Sequence, residues 1–123
     1  MKIEYLQQGD GPGIAVVTGE EKIITDTQSA LDLAMTVKYE AGAACIAIDK
    51  RLICEDFFIL STGVAGEILQ KFINYRIKMA IYGDYSRYTS KPLHDFIYES
   101  NQGKDFFFVA TQEEAIRRLA EAE

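Results

Sequence analysis

The chain opens with two short segments whose apolar residues are spaced or clustered as in β-strands. They span Lys2–Gln7 and Ile14–Thr18. Between them, Gly9–Gly13 has the Gly, Asp and Pro content of a tight turn, so an N-terminal β-hairpin is predicted. A further short strand is predicted at Lys22–Thr25.

From Asp26 onward the apolar period changes to three and four residues, which predicts an amphipathic helix. Asp26 is suited to cap this helix, which should run to about Glu40 and stop at Gly42. Its apolar face consists of Ala30, Leu33, Ala34, Val37 and Ala41.

Three further helices are predicted by similar signals. The second runs from Gly63 to about Arg76, and the third follows the cap Ser90 and closes at Gly103. The last begins at Thr111 with the pattern of a capping box. The residues predicted to face inward are Val64, Ile68, Leu69, Phe72 and Ile73 in the second helix, Leu93, Phe96 and Ile97 in the third, and Ala115, Ile116 and Leu119 in the last.

Strands are predicted between these helices at Ala44–Ile48, Lys78–Tyr82 and Phe106–Val109. The first and last are apolar on both faces, which is typical of strands in a parallel sheet with helices on both sides. The order ββαβαβαβα predicts one α/β domain over residues 1–123. An N-terminal hairpin is followed by alternating helices and strands, and a mostly parallel central sheet is flanked by helices.

Composition narrows the possible partners. The 123 residues are 48% hydrophobic, which is enough for one ordinary core. A net charge of −6 and a pI near 4.8 disfavour contact with nucleic acid. No apolar stretch approaches the roughly 20 residues of a membrane span, and the N-terminus lacks the apolar core of a signal peptide. A cytoplasmic location without membrane contact is therefore expected.

The cysteine and histidine pattern does not predict a metal site. Cys45 lies in an apolar run and is expected to be buried, Cys54 lies in a predicted loop, and His94 has no second ligand nearby in sequence. Asp26, Asp49 and Asp84 each follow a strand, as in acidic Mg²⁺ pockets. That pattern also requires a lysine after the last strand, where this chain has Ala110 and Thr111. No metal or cofactor is predicted.

Two sequence runs, IITDTQSALDLA and LSTGVAG, resemble the STAS domain, the fold of bacterial anti-sigma-factor antagonists. The element order is similar as well, although Leu60 occupies the position of that family's aspartate. A closer resemblance is to the bacterial family catalogued as domain of unknown function 4180. Its signature is similar to the runs CEDFF, TGVAGEILQKF, NYRIKMAIYGDYSRYTSKPLHDFIYES and GKDFFFV. The resemblance implies a STAS-like domain and no established activity.

The step Ser61-Thr62-Gly63 at the start of the second helix has three interpretations. In the first interpretation, Thr62 caps the helix and Gly63 lets the chain turn into it. Alternatively, the STAS resemblance implies that Thr62 is a phosphoacceptor, with Ser61 second. A third interpretation is a phosphate-bearing ligand at the helix end, bound by backbone amides and by basic side chains drawn from Lys50, Arg51, Arg87 or Lys91.

Ligands and partners of parallel sheets usually meet the carboxyl ends of the strands. In this chain those ends lead into Asp49–Thr62, Gly83–Lys91 and Thr111–Glu114. The candidate contact residues in these segments and at the helix start are Asp49, Glu55, Asp56, Gly63, Asp84, Tyr85, Arg87, Tyr88 and Lys91. Phe57 and Phe58 are expected to pack in the core.

The predicted function is a non-enzymatic regulatory or protein-binding module, with a phospho-switch at the N-terminus of the second helix. The partner surface would comprise Asp49–Thr62, the first turns of that helix and Gly83–Lys91. The alternative is a binding domain for a phosphate-bearing small molecule, or a modest enzyme, that uses the same edge. The exposed edge of the N-terminal hairpin also offers a surface for pairing with a second copy as a homodimer.

Overall fold

The computed structural model describes residues 1–7 and 13–122. Its five-stranded sheet has the order β1-β2-β3-β4-β5. β1 pairs antiparallel with β2, and all other neighbours are parallel. The strands are β1 (Lys2–Leu6), β2 (Ile14–Thr18), β3 (Cys45–Asp49), β4 (Lys78–Tyr82) and β5 (Phe106–Val109). This arrangement confirms the predicted α/β class with an antiparallel N-terminal pair. Most of the predicted turn at Gly9–Gly13 lies outside the described residues.

Four helices connect and flank the strands: α1 (Thr27–Ala41), α2 (Val64–Asn74), α3 (Lys91–Gln102) and α4 (Gln112–Glu121). The predicted caps Asp26, Ser90 and Thr111 each accept a hydrogen bond from a backbone amide in the first turn. Gly42 ends α1 in the left-handed conformation that glycine adopts easily, with φ 64°. Local capping signals therefore fixed three helix starts and one helix end.

The predicted strand at Lys22–Thr25 is wrong. Only Ile24 forms a bridge there, parallel to Ile53. Ile24 N–H donates to Leu52 O at 3.1 Å, and Cys54 N–H donates to Ile24 O at 2.8 Å. The buried residue Ile24 thus pairs with a loop instead of a strand. Two residues predicted to face the core are exposed instead: Ala41 at the end of α1, and Ile73 near the end of α2.

The helices divide unequally between the two faces of the sheet. One face packs against buried residues of α1, α2 and α3, including Leu33, Phe72 and Leu93. The other face packs against α4 through Ala115 and Leu119. The α4 face of the two central strands carries the small residues Ala47 and Ala80. Small side chains let a single helix lie close across the middle of the sheet.

The two edges of the sheet differ. At the β5 edge, the Asn101 side chain of α3 acts as a neighbouring strand would. Phe108 N–H donates to Asn101 Oδ1 at 2.8 Å, and Asn101 Nδ2 donates to Phe108 O at 3.1 Å. Arg118 of α4 holds this part of α3 by donating to Asn101 O at 2.7 Å. At the other edge, β1 has no strand beyond it among the described residues.

Candidate functional site

Two of the predicted segments meet at the carboxyl edge of the sheet. β3 ends at Asp49 and β4 ends at Tyr82, and these two residues are register partners. We call residues Asp49–Gly63 and Gly83–Lys91 the rim. The backbones are close, because a Cβ added to Gly83 would lie 2.9 Å from Lys50 Cβ. The third predicted segment starts α4 and contacts this edge through Gln112, which donates to the Tyr82 hydroxyl at 3.1 Å.

The first rim segment folds as three short 3₁₀ turns at Lys50–Leu52, Glu55–Phe58 and Leu60–Thr62. Apolar and polar residues alternate along this segment, which explains why it folds as a series of tight turns. Leu52, Phe57 and Phe58 are buried, whereas the polar residues between them are exposed. The predicted core packing of the two phenylalanines is therefore confirmed. Tight turns let a short segment bury large side chains while its carboxylates stay in water.

Tyr88 joins the two rim segments. Its ring stacks on Phe58 with centroids 5.3 Å apart and an interplanar angle of 19°. Lys50 Nζ lies 4.8 Å from the ring centroid, and Arg87 Cζ lies 5.0 Å from it. Such cation–π contacts favour a fixed ring position at a partly exposed site. The aromatic ring therefore lies between one apolar and two cationic neighbours.

A polar network surrounds the same ring. The Tyr88 hydroxyl donates to Glu55 Oε2 at 3.1 Å, and the same hydroxyl oxygen accepts from Arg87 Nη2 at 3.2 Å. Arg87 also forms an ion pair with Glu55. On the other side, His94 Nε2 lies 2.6 Å from the Tyr88 carbonyl oxygen. The structure thus brings together the predicted residues Glu55, Arg87 and Tyr88.

Tyr85 has a different position from its neighbours in the loop. Its ring packs edge-on against Phe108 with centroids 5.9 Å apart, and its hydroxyl donates to Ile81 O at 2.6 Å. The pKa of Tyr85 is strongly raised, mainly by burial and to a smaller extent by the nearby Tyr88 and Asp49. The side chain predicted as a partner contact therefore anchors the loop to the core.

The aspartates at the strand ends act as local caps. Asp49 Oδ1 accepts from Arg51 N–H at 2.9 Å, and Asp84 Oδ1 accepts from Ser86 N–H at 2.8 Å. Burial raises the pKa of Asp49, but the hydrogen bonds and charge of Arg51 outweigh it, so that its pKa lies below the usual range. The Ser86 hydrogen bond lowers the pKa of Asp84. Each carboxylate is satisfied by its own loop.

Three of the four basic rim residues named as phosphate-binding candidates have acidic partners. Arg51 Nη2 lies 2.9 Å from Asp49 Oδ2, and Arg87 pairs with Glu55. Lys91 Nζ lies 2.7 Å from Asp95 Oδ2, which turns it along α3. The fourth candidate, Lys50, has its Nζ over the rings of Phe58 and Tyr88. The phosphate-ligand interpretation therefore stays a prediction, and a bound phosphate would have to compete with three ion pairs.

The hydroxyl groups at the start of α2 differ in their contacts. Thr62 Oγ1 lies 2.7 Å from Asp56 O and 2.8 Å from Ile59 O, and it accepts from Val64 N–H at 3.3 Å. Thr62 thus fastens the turn and precedes the N-cap position, which is taken by Gly63 with φ 82°. Ser61 is exposed, and its hydroxyl makes no side-chain hydrogen bond within residues 1–7 and 13–122.

The family described as domain of unknown function (DUF4180) matches residues 10–119, which include the whole rim. The chain belongs to the DUF4180 family. No curated protein and no solved structure matches it.

Three features of the DUF4180 rim were missed by sequence reasoning. Ile59 is 50% exposed between two 3₁₀ turns, Phe58 stacks on Tyr88, and His94 contacts the Tyr88 backbone. The run Asp56-Phe57-Phe58-Ile59 contained a signal for the first feature, because three consecutive apolar residues in a tight turn cannot all face inward. The two long-range contacts have no local signal.

Two further observations concern the described part of the DUF4180 domain. Its helices are all too short or too polar to cross a bilayer. Within the same residues, no three His, Cys, Asp or Glu side chains gather in a way that would hold a metal ion.

Replacing Tyr85 by phenylalanine should lower the free energy of unfolding by about 1 kcal/mol at neutral pH, because Ile81 O loses its donor. The folded pKa of Tyr85 exceeds its unfolded value, near 10, so this contribution is complete below pH 10 and is lost as the pH rises. The gap between wild type and Tyr85→Phe should therefore shrink above pH 10. Urea unfolding from pH 7 to 11 measures it. A gap that stays constant would mean that the hydroxyl is not held by the core.

Proposed function

We propose that this DUF4180 domain is a non-enzymatic regulatory module that binds a protein partner through the rim. The observation that carries the proposal is the joining of two distant chain segments into one surface by the Phe58–Tyr88 stack and the Glu55–Arg87–Tyr88 network. A surface held by such contacts is preorganised, which lowers the entropy cost of binding.

The chemistry of this surface suits a protein partner. The half-exposed Ile59 offers an apolar centre, and polar or charged residues, including Asp56 and Ser61, lie around it. Interfaces commonly combine an apolar centre with a polar surround, and tyrosine and arginine are enriched among residues that dominate binding. Arg87 and the edge of Tyr88 supply these residue types. The STAS resemblance supports the same class of function, because STAS domains of anti-sigma-factor antagonists act on proteins.

A phosphorylation switch at this surface is the finer part of the proposal. Ser61 is better placed than Thr62 to accept phosphate, because the Thr62 hydroxyl is engaged by the carbonyl oxygens of Asp56 and Ile59. α2 begins directly beyond, with Gly63 as its N-cap and no cap from that residue's side chain, while Thr62 Oγ1 accepts only weakly from Val64 N–H at 3.3 Å. A phosphate there would add about −1.5 to −2 charges beside a helix N-terminus. It would change the charge of the surface without opening the turn.

The partner surface is tested with Ile59→Asp. Immobilised wild type and variant capture proteins from the organism's own lysate, and the affinity of the recovered partner is then measured with purified components. The expected result is a loss of about tenfold or more for Ile59→Asp, because the apolar centre becomes charged. Ile73→Asp is the matched control, because Ile73 is 42% exposed on α2 but lies outside the rim. Equal binding by Ile59→Asp and wild type would refute the proposed surface.

The switch is tested separately, so that it can fail while the surface stands. Peptide mapping of the protein from its native cells should locate a phosphate on Ser61. Ser61→Glu should weaken or redirect the partner measured above, and Ser61→Ala should bind as wild type does. A phosphate on neither hydroxyl, together with unchanged binding by Ser61→Glu, would remove the switch and leave the Ile59 result intact.

A further inference from the structure

Within residues 1–7 and 13–122, no strand pairs with the outer side of β1. β1 pairs with β2 through the register Lys2–Thr18 to Leu6–Ile14, and it is the last strand of the sheet. An edge strand presents alternate N–H and C=O groups that readily pair with another strand. The β5 edge differs, since Asn101 takes the outward N–H and C=O of Phe108.

The side chains of β1 divide by chemistry between the two faces of the sheet. Ile3 and Tyr5 lie opposite Val17 and Ala15, whose side chains belong to the α1 face. The Tyr5 hydroxyl donates to Glu40 Oε1 of α1 at 2.9 Å, yet the residue is still 37% exposed. Lys2 and Glu4 point to the other face, with their charged atoms 3.7 Å apart in solvent. The strand therefore has an apolar side and a side with one charge of each sign.

We propose that β1 pairs antiparallel with β1 of a second copy of this chain, with the two-fold axis at Ile3. Residues opposite each other in an antiparallel pair point to the same face, so a symmetric register must be centred on a residue. Centring at Ile3 places Lys2 opposite Glu4 of the partner subunit, and Glu4 opposite Lys2 of the partner subunit. Both cross-strand pairs are then of opposite charge.

Charge complementarity selects this register among the symmetric ones. Centring at Glu4 would set two glutamates against each other, and centring at Lys2 would set two lysines against each other. Centring at Tyr5 would leave both charges without an opposite charge. On the other face, the Ile3 register puts the two Ile3 side chains together. It also puts Tyr5 against the partner subunit's Met1, a residue that is 71% exposed in a single chain.

The resulting assembly is a continuous sheet across the two-fold axis, with both copies of α1 on the same side. β1 precedes residues 10–119 that match the DUF4180 family, so the inference concerns this chain. It is also independent of the rim, which lies beyond the carboxyl ends of β3 and β4. If the proposed partner surface at the rim were refuted, the proposed β1 dimer would be unaffected.

The test is charge exchange, followed by sedimentation velocity of the full chain over a wide range of concentration. Wild type should dimerise. Lys2→Glu alone and Glu4→Lys alone should each raise the dimer Kd by about tenfold or more, because two favourable pairs become two like-charge pairs. The double variant Lys2→Glu/Glu4→Lys should restore dimerisation, since the pairs are simply reversed. A mixture of the two single variants should form a mixed dimer.

Two controls separate pairing from loss of folding. Circular dichroism and thermal unfolding of each single variant should match wild type measured below its dimer Kd. Glu99→Lys makes the same charge change on α3, which packs at the β5 edge, and should dimerise as wild type does. A wild type that stays monomeric at every concentration would overturn the proposal. So would a dimer insensitive to the single variants, or single variants that the double variant does not rescue.

Discussion

Replacing Phe58 by alanine is expected to lower the free energy of unfolding by about 3–5 kcal/mol, the range for removing a buried phenylalanine. Phe58 is only 2% exposed and contacts the rings of Phe57, Tyr85 and Tyr88. Removing the phenyl ring would leave a cavity between the core and the rim. The 83–91 loop would then lose the side chain on which it packs. Chemical unfolding measures the loss, and amide hydrogen exchange locates it.

A milder variant keeps this prediction testable if the alanine variant does not fold. Phe58→Leu retains most of the volume but loses the stack on Tyr88. Exchange should accelerate in the 83–91 loop more than at the β5 edge. Phe72→Leu is the control, because Phe72 is buried and its ring pairs with Phe106 and, within the described residues, with no aromatic ring of the rim. Equal acceleration in both variants would mean that Phe58 acts only as general core volume.

Replacing Gly83 by alanine should cost about 2–4 kcal/mol, the second-largest effect expected. Gly83 has φ 154°, which side-chain-bearing residues rarely adopt, and the added Cβ would lie 2.9 Å from Lys50 Cβ. Lys50 Cβ is bonded directly to the backbone, so it cannot move away as the end of a long side chain can. The two rim segments would have to separate. Urea unfolding gives the cost, and exchange at residues 50–58 and 83–91 reports the separation.

Gly66→Ala is the matched control for Gly83→Ala. Gly66 lies in the first turn of α2, and a Cβ there would meet nothing within 4 Å beyond its chain neighbours and its own helix backbone. Alanine should stabilise the protein by about 0.5–1 kcal/mol, because it favours the helix more than glycine does. Because the two variants should change the free energy of unfolding in opposite directions, the comparison separates the local effect at Gly83 from any general effect of an added methyl group. A Gly83→Ala variant as stable as wild type would contradict the close approach.

The element order could be predicted because its signals are local. The cap Asp26, the αL glycine Gly42 and the apolar run at β5 each act within a few residues of their own position. The end of α2 illustrates the limit of these signals. The apolar pattern continued through Ile73, but that residue lies in the last turn before Asn74 and is 42% exposed.

The roles within the rim could not be predicted, because they depend on contacts across the fold. Tyr85 and Tyr88 lie three residues apart in one irregular loop with no periodicity. One hydroxyl is bonded to the core at Ile81, and the other to Glu55, which is 33 residues away in sequence. The sequence predicted both as contact residues. Contacts with Phe108 and Ile81 hold Tyr85 against the core, whereas Tyr88 stacks on Phe58 at the rim.

The side chain of Asn101 has a consequence for the size of any assembly. A sheet with two open edges can add copies without limit, which leads to fibres. Here Phe108 has already given its outward hydrogen-bonding groups to Asn101. Strand addition at the β5 edge is therefore obstructed at Phe108, and a symmetric contact at β1 uses up the other edge in both copies. A single amide side chain thus favours a closed pair over an open-ended polymer.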